Sequence, residues 1–501
     1  MLSSRTASAC DNCRLRRRRC DRTRPKCSYC ISQGVECIYS RTPDSQPSRL
    51  VQELMSIRKR LESITPLLEQ PQVQLAPRGD NDPPVTALQN CPPLVLKSPH
   101  LMQILGLQSD LASVLYRLEN TARQPPVSLF ESTPAECFDL ILRRVEERIH
   151  PWYPVLHSEF TTHFFEACAT GFIPSTISCL SHLVIAVSSL IKNSPHSSHF
   201  EAALSMMGNV MHECSVTSVQ CLILFGVYQA YLIRPRQAYE YVQAAFLKIQ
   251  PFLKSPSYHE ETPEAHLVSR LYWTIYILMS ETYTHLNLSL PSKTLRGQSN
   301  MVTLPSSNDM WSSRSDQNAP SNSSLAGIPQ EVDLQQALDA YATSGMAASD
   351  IYNGVFSTAD EPIPNEFPDT YSAVHRAKYH MYEVNGYWPV IYRIILNGSA
   401  DPELLPYGPL FFESVTAFLS DANMALWICR PKAWFLCASI YTISMATLRA
   451  TDVQPLRLLV HKGLWEQLQV TVDALQKFGE LSPSVRYMWD SLRERLSEAR
   501  S

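Results

Sequence analysis

A chain of 501 residues that is 45% apolar exceeds one ordinary domain and can bury a large core. With 15 glycines against 36 prolines, its composition favours helices separated by proline-marked linkers. The net charge of −4 hides an asymmetry: residues 1–60 hold 14 Lys/Arg against 5 Asp/Glu, while the remainder holds 29 against 42, so only the first end suits a polyanion.

That end carries Cys10, Cys13, Cys20, Cys27, Cys30 and Cys37, two successive C-x2-C-x6-C halves. Thiols paired two residues apart have metal-ligand spacing. Three disulfides would use the same six sulfurs, but the segment is crowded with Arg and Lys and has no secretory context. Six thiolates can make two tetrahedral zinc sites only if two sulfurs are shared. Cys10 and Cys27 open the two halves and are the expected bridges. One zinc then takes Cys10, Cys13, Cys20 and Cys27, and the other Cys10, Cys27, Cys30 and Cys37. Both spheres are closed, as in structural rather than catalytic sites.

The run Ala9-Cys10-Asp11-Asn12-Cys13-Arg14-Leu15-Arg16-Arg17-Arg18-Arg19-Cys20, then Arg24-Pro25-Lys26-Cys27, Cys30 and Cys37, resembles the fungal binuclear zinc-cluster transcription factors. The resemblance implies two short helices related by a pseudo-two-fold and linked by a turn at Pro25. It also implies that the end of the first helix enters the major groove over a CGG-type triplet, with Arg16 and Arg17 as the base-reading pair. An arginine fork matches guanine O6 and N7 independently of any resemblance. Arg14, Arg19 and Lys26 are expected on phosphates, which orient without specifying sequence. For Arg18 and Arg22, contact and solvated counter-charge stand equal.

After a proline-containing linker, Leu50, Leu54, Ile57, Leu61, Ile64 and Leu68 are spaced 4-3-4-3-4, the seam of a coiled coil. Pro66 limits it to two or three heptads. A parallel homodimer would set two heads on one duplex, with Ile38–Arg49 fixing half-site spacing; a single amphipathic helix docked on the body is the alternative. Residues 69–132 are expected to form a flexible spacer with one amphipathic helix over Leu101, Ile104, Leu111, Leu115 and Leu118, packed on the body or extending the dimer.

The remaining elements are expected to build an all-α regulatory domain in two parts, 133–292 and 346–499. A capping box with proline at its first helical position, Thr133-Pro134-Ala135-Glu136, opens a helix with Phe138, Ile141, Leu142, Val145 and Ile149 on one face. Ser218–Ile233 is apolar all round and expected to be central. Arg234-Pro235-Arg236 turns the chain into Gln237–Ile249, and Thr262-Pro263 starts a helix reaching Leu286. Residues 293–345 form a low-complexity linker, its Ser/Asn-rich stretch Ser292–Ser324 expected to be disordered. Helices are also expected over Trp434–Leu448, Trp465–Phe478 and Ser484–Leu496. His150-Pro151-Trp152-Tyr153-Pro154-Val155-Leu156-His157, Val219–Ala245 and Arg270-Leu271-Tyr272-Trp273 through Glu281 resemble the regulatory region of the same family. His150 and His157 are expected to be core or capping residues rather than ligands. Val355–Tyr371 mixes acidic and aromatic residues, a pattern of coactivator-binding segments and also of surface loops.

The eight distal cysteines are scattered in apolar surroundings, and no apolar run reaches the roughly 20 residues that span a bilayer. No glycine-rich phosphate loop, H-E-x-x-H or G-x-S-x-G occurs, so an enzyme is unsupported. The expectation is a nuclear, two-zinc regulator of RNA polymerase II genes, binding double-stranded DNA as a homodimer. Its body would answer to a coactivator or small-molecule inducer, without a membrane partner. The rivals are a monomer on one triplet and a metal-binding or ligand-sensing protein without specific DNA binding.

Overall fold

In the computed structural model the described residues are 9–37 (without 11, 14, 15, 17, 22, 24 and 25), 99–120, 138–192, 198–255, 262–286, 302, 311–313, 369–398 and 402–500. The chain divides into two units, Met1–Met55 and Ser56–Ser501. In the first, the described residues hold the short helix α1 (Ser28–Ser32) and a helical turn at Asn12 and Cys13.

The second unit is all-α among its described residues, apart from one isolated bridge residue. Its first described helices are short, α2 (Pro99–Ile104) and α3 (Leu111–Glu119). The expected single amphipathic helix is thus two. Gly106, at φ +70°, breaks it, and the Leu107 N–H returns 2.8 Å to the Met102 carbonyl, closing the turn as a left-handed helix end requires. Leu101, Leu105, Leu111 and Leu115 are fully buried in the core of this unit, so the segment packs on the body.

Then come α4 (Phe138–Arg148), α5 (Phe160–Ala169), α6 (Thr176–Ile191), α7 (Ser198–Ser205) and α8 (Met207–His212), followed by α9 (Val216–Tyr231), α10 (Pro235–Leu253) and α11 (Pro263–Leu286). Ser175 and Ser215 cap α6 and α9, each side chain accepting the N–H three residues on. Both helices are apolar on nearly every side and both are central. α9 stops where Ile233 turns to φ +57°, and Pro235, already at the first helical position, starts α10 on its return. Gly226 lets α10 come close to α9. A Cβ there would lie 2.5 Å from Val242 Cγ2 and 3.3 Å from the Ala238 carbonyl.

The distal part holds α12 (Asp369–Asn397), α13 (Tyr407–Ile428), α14 (Ala433–Thr451), the single turn α15 (Gln454–Arg457), α16 (Lys462–Gly479) and α17 (Pro483–Arg500). α14 is the deepest: every residue but Arg449 is buried. Three of its threonines bond locally, Thr442 donating 3.1 Å to the Ser439 carbonyl, Thr447 2.8 Å to that of Ile443 and Thr451 2.7 Å to that of Leu448. Among the described residues, no helix is long and apolar enough to cross a membrane.

Two charged groups tie distant stretches together inside this core. Glu281 of α11 accepts from Lys432 at 2.7 Å and from Lys378 of α12 at 3.1 Å, all three buried. Lys432 also lies over the rings of Trp152 and Tyr153. Glu119, at the end of α3, accepts from the hydroxyls of Ser482 and Ser484 and from the Ser484 N–H, so a buried carboxylate stands at the positive end of α17.

Within the stretch expected to be disordered, Val302 and Trp311 are buried in this core. The Trp311 indole donates 2.9 Å to Thr161 Oγ1 and sits edge-on to His150, while Ser312 and Ser313 donate to the Glu146 carboxylate. A buried tryptophan with a satisfied N–H is an anchor that composition alone hides. His150 is buried, and His157 packs edge-on against Phe160 and His163. Neither belongs to a metal-ligand cluster among the described residues. Residues 38–98 and 355–368, with the heptads and most of the acidic-aromatic segment, lie outside the described residues.

His182 Nδ1 lies 2.7 Å from His199 Nδ1, and Phe172 stacks on His182. Burial, and then the facing imidazole of His199, hold His182 down to about 4; burial lowers His199 also. The unfolded chain therefore takes up protons at these positions below a pH of about 6.5 that the fold refuses. Stability is expected to be full above that pH and to fall as pH drops towards about 4, read as a thermal midpoint lower at pH 5 than at pH 7. His182→Gln should flatten that slope. Gly226→Ala is expected to cost about 1–3 kcal/mol by forcing α9 and α10 apart, with the added Val242→Ala recovering part of the loss in denaturation.

Candidate metal centre and nucleic-acid interface

In the first unit the six cysteines converge. Asn12 and Cys13 start a helical turn, continued by the Arg16 N–H donating 3.0 Å to the Asn12 carbonyl and the Arg18 N–H 2.9 Å to that of Cys13. Asn12 Nδ2 reaches across to the Glu36 carbonyl at 3.2 Å, tying the first turn to the last cysteine loop. Cys27 is the N-cap of α1, its Sγ accepting the Cys30 N–H at 3.4 Å. Gly34, at φ +61°, ends α1, and Val35 N–H returns 3.1 Å to the Cys30 carbonyl.

The sulfurs fall into two groups of four, Cys10, Cys13, Cys20 and Cys27, and Cys10, Cys27, Cys30 and Cys37, each with its sulfurs within 4.8 Å of one another. Cys10 and Cys27 are common to both. Three pairs, Cys10–Cys27 at 3.7 Å, Cys10–Cys30 at 3.6 Å and Cys13–Cys27 at 3.6 Å, are far beyond disulfide length. They match the edge of about 3.8 Å that a zinc tetrahedron has with Zn–S bonds of about 2.3 Å.

Cys10, Cys13, Cys27 and Cys30 are fully buried. Burial, reinforced by neighbouring sulfurs, pushes the Cys30 thiol up to about 12 and raises Cys13 too. The Cys27 N–H, donating 3.3 Å to Cys37 Sγ, holds Cys37 below the usual thiol range. Packed thiols such as Cys13 and Cys30, which resist ionisation alone, are what a divalent cation compensates, releasing protons as it binds. The donor set fits two zinc ions and leaves no position in either group for a substrate.

Around the sulfurs, Arg16, Arg18, Arg19 and Lys26 are exposed. Arg14 and Arg17 lie outside the described residues, as do Leu50, Leu54, Ile57, Leu61 and Ile64. Sequence reasoning missed Asp21. Its carboxylate accepts from Thr23 Oγ1 at 2.7 Å, from the Ser28 N–H at 3.1 Å and from the Ser28 hydroxyl. The signal was a short acceptor two residues before a threonine, a common turn pattern.

Comparison with known proteins agrees with this geometry. Residues 8–46 match the fungal Zn(2)-Cys(6) binuclear cluster domain, and residues 146–358 match the fungal specific transcription factor domain. Across its whole length the chain is 27% identical to a protein of Aspergillus rugulosus named "Putative transcription factor ecdB", covering 99% of that protein. It is 27% identical over 135 residues to the asperfuranone cluster transcription factor afoA of Emericella nidulans, a quarter of this chain and 19% of that one. A transcriptional regulatory protein of Schizosaccharomyces pombe, named as uncharacterized, is 32% identical over 81 residues, 10% of its length. No solved structure matches the chain.

Proposed function

Because the chain belongs to the fungal binuclear zinc-cluster transcription factors, a family of zinc-binding, non-enzymatic DNA-binding regulators of transcription, we propose that it acts in the nucleus as a homodimer on paired CGG-like triplets. The observation that carries the reading is the pair of four-sulfur groups sharing Cys10 and Cys27. In this reading the first zinc is held by Cys10, Cys13, Cys20 and Cys27 and the second by Cys10, Cys27, Cys30 and Cys37. The zincs fold the head and do no chemistry on a substrate. Arg16 and Arg17 read guanine edges, while Arg14, Arg19 and Lys26 hold phosphates. The 3.5-residue repeat of Leu50, Leu54, Ile57, Leu61 and Ile64 supports dimerisation.

The body would set when the head acts, through a coactivator or a small-molecule inducer. Likeness to a relative named for the asperfuranone cluster supports control of a metabolic gene cluster. Binding-site selection with the full chain tests the reading: enrichment of paired CGG-type triplets supports it. No enriched motif, or binding that survives a zinc chelator, overturns it. Enrichment of a single triplet would favour the monomer.

Cys27→Ser is expected to release both zincs, since that sulfur serves two metals, read as metal content by mass spectrometry under native conditions. Cys37→Ser should leave the first group of sulfurs intact. Arg17→Ala should cost about 1–3 kcal/mol and relax preference at one base pair. Lys26→Ala should weaken all sequences alike and reduce the slope of log affinity against log salt by about one.

A further inference from the structure

Asp21 is a carboxylate in the most cationic stretch of the chain, between Arg19 and Arg22. On a surface that meets a polyanion, a negative charge repels the ligand unless it does something else. Its bonds run to the protein itself. Both oxygens face the Ser28 N–H, at 3.1 Å and 3.2 Å, and one also accepts from the Ser28 and Thr23 hydroxyls. These bonds hold the carboxyl down to about 2, with Ser28 the main cause.

The placement is specific. Asp21 directly follows Cys20 and Ser28 directly follows Cys27, so the carboxylate bonds from one residue inside the connection to one residue beyond it. Lys26, exposed and expected on a phosphate, lies between Thr23 and Ser28, both of which the carboxylate holds. A loop anchored only at its ends samples many arrangements, and each phosphate contact then costs ordering on binding. Anchoring it in advance removes that cost.

Resting on the DNA-binding reading, we propose that Asp21 is a positioning residue for the phosphate contact of Lys26. It gives up one unit of favourable charge to hold in place the backbone on either side of the exposed Lys26, through Thr23 and Ser28.

Charge and positioning predict opposite signs. Removing the carboxylate adds one positive charge, so electrostatics alone makes Asp21→Ala bind DNA more tightly. Positioning makes it bind about tenfold more weakly, with a shallower salt dependence. The experiment uses full-length protein, a duplex carrying two inverted CGG triplets, and wild type, Asp21→Ala, Asp21→Asn and Ser28→Ala, titrated at several salt concentrations with zinc content measured in parallel. The expected order is wild type tightest, Asp21→Asn and Ser28→Ala intermediate and Asp21→Ala weakest, all with two zincs. Asn keeps one acceptor oxygen, and Ser28→Ala keeps the backbone donor. Asp21→Ala binding as tightly as wild type, or equal affinities for Asp21→Ala and Asp21→Asn, overturns the proposal while leaving the DNA-binding reading intact. Zinc loss in Asp21→Ala together with unchanged binding by Ser28→Ala also overturns it, because the carboxylate would then serve the cluster alone. Wild type failing to bind the duplex or any selected sequence overturns both.

Discussion

Cys27 Sγ lies 3.7 Å from Cys10 Sγ and 3.6 Å from Cys13 Sγ while accepting the Cys30 N–H, so one atom stands at the junction of both sulfur groups and at the start of α1. Among its described residues the first unit has no apolar core beyond its cysteines and the few residues packed on them: Tyr29 and Val35 are only partly buried, and Ile31 faces solvent. A segment this short cannot offset its chain entropy by hydrophobic burial. In the proposed partition, metal binding is folding for this unit, and Arg16, Arg18 and Arg19 take their positions only because the sulfurs do.

The second unit solves the opposite problem, that of joining sequence-distant helices around a large apolar core. Glu281 between Lys378 and Lys432 links α11 to the distal helices, and Glu119 links α3 to the start of α17. A buried charge pair gives little net stability, because desolvation offsets attraction, but it penalises every packing that separates the partners. Such groups act as registration marks for helices whose apolar faces would otherwise slide. Lys432 adds aromatic faces from Trp152 and Tyr153, so α4's downstream loop is drawn into the same arrangement.

Local signals were readable wherever the physics is local. The six-cysteine spacing, the proline-started helix ending at Leu286, the all-apolar α9 and the turn at Pro235 need no knowledge of distant residues, and each is where spacing or capping puts it. The misses are non-local. Lys378, Lys432, Glu119 and Glu281 look like surface residues in sequence, since their partners lie dozens to hundreds of positions away. α12 passes unremarked because Pro389 sits inside it and its polar residues blur the period. Trp311 lies in a serine- and asparagine-rich stretch whose composition argues against order, and its pocket comes from helices 150 residues earlier. The Asp21 network depends on the cluster first bringing residues 21 and 28 together.

Charge also bears on how many heads the reading needs. Residues after position 60 carry an excess of acid, so the body repels a duplex and adds nothing to affinity on electrostatic grounds. The head alone must supply both affinity and recognition. A single triplet recurs by chance on the order of once in 64 positions, far too often against the number of competing sites in a genome. One head could therefore hold DNA without choosing a place on it. Two heads at a fixed separation multiply the selectivity and add their phosphate contacts, with the second binding event made intramolecular by the connection. The proposed dimer is thus the least addition that turns a three-base reader into one that can find a gene, and the heptads immediately after the linker are where that addition would have to be written.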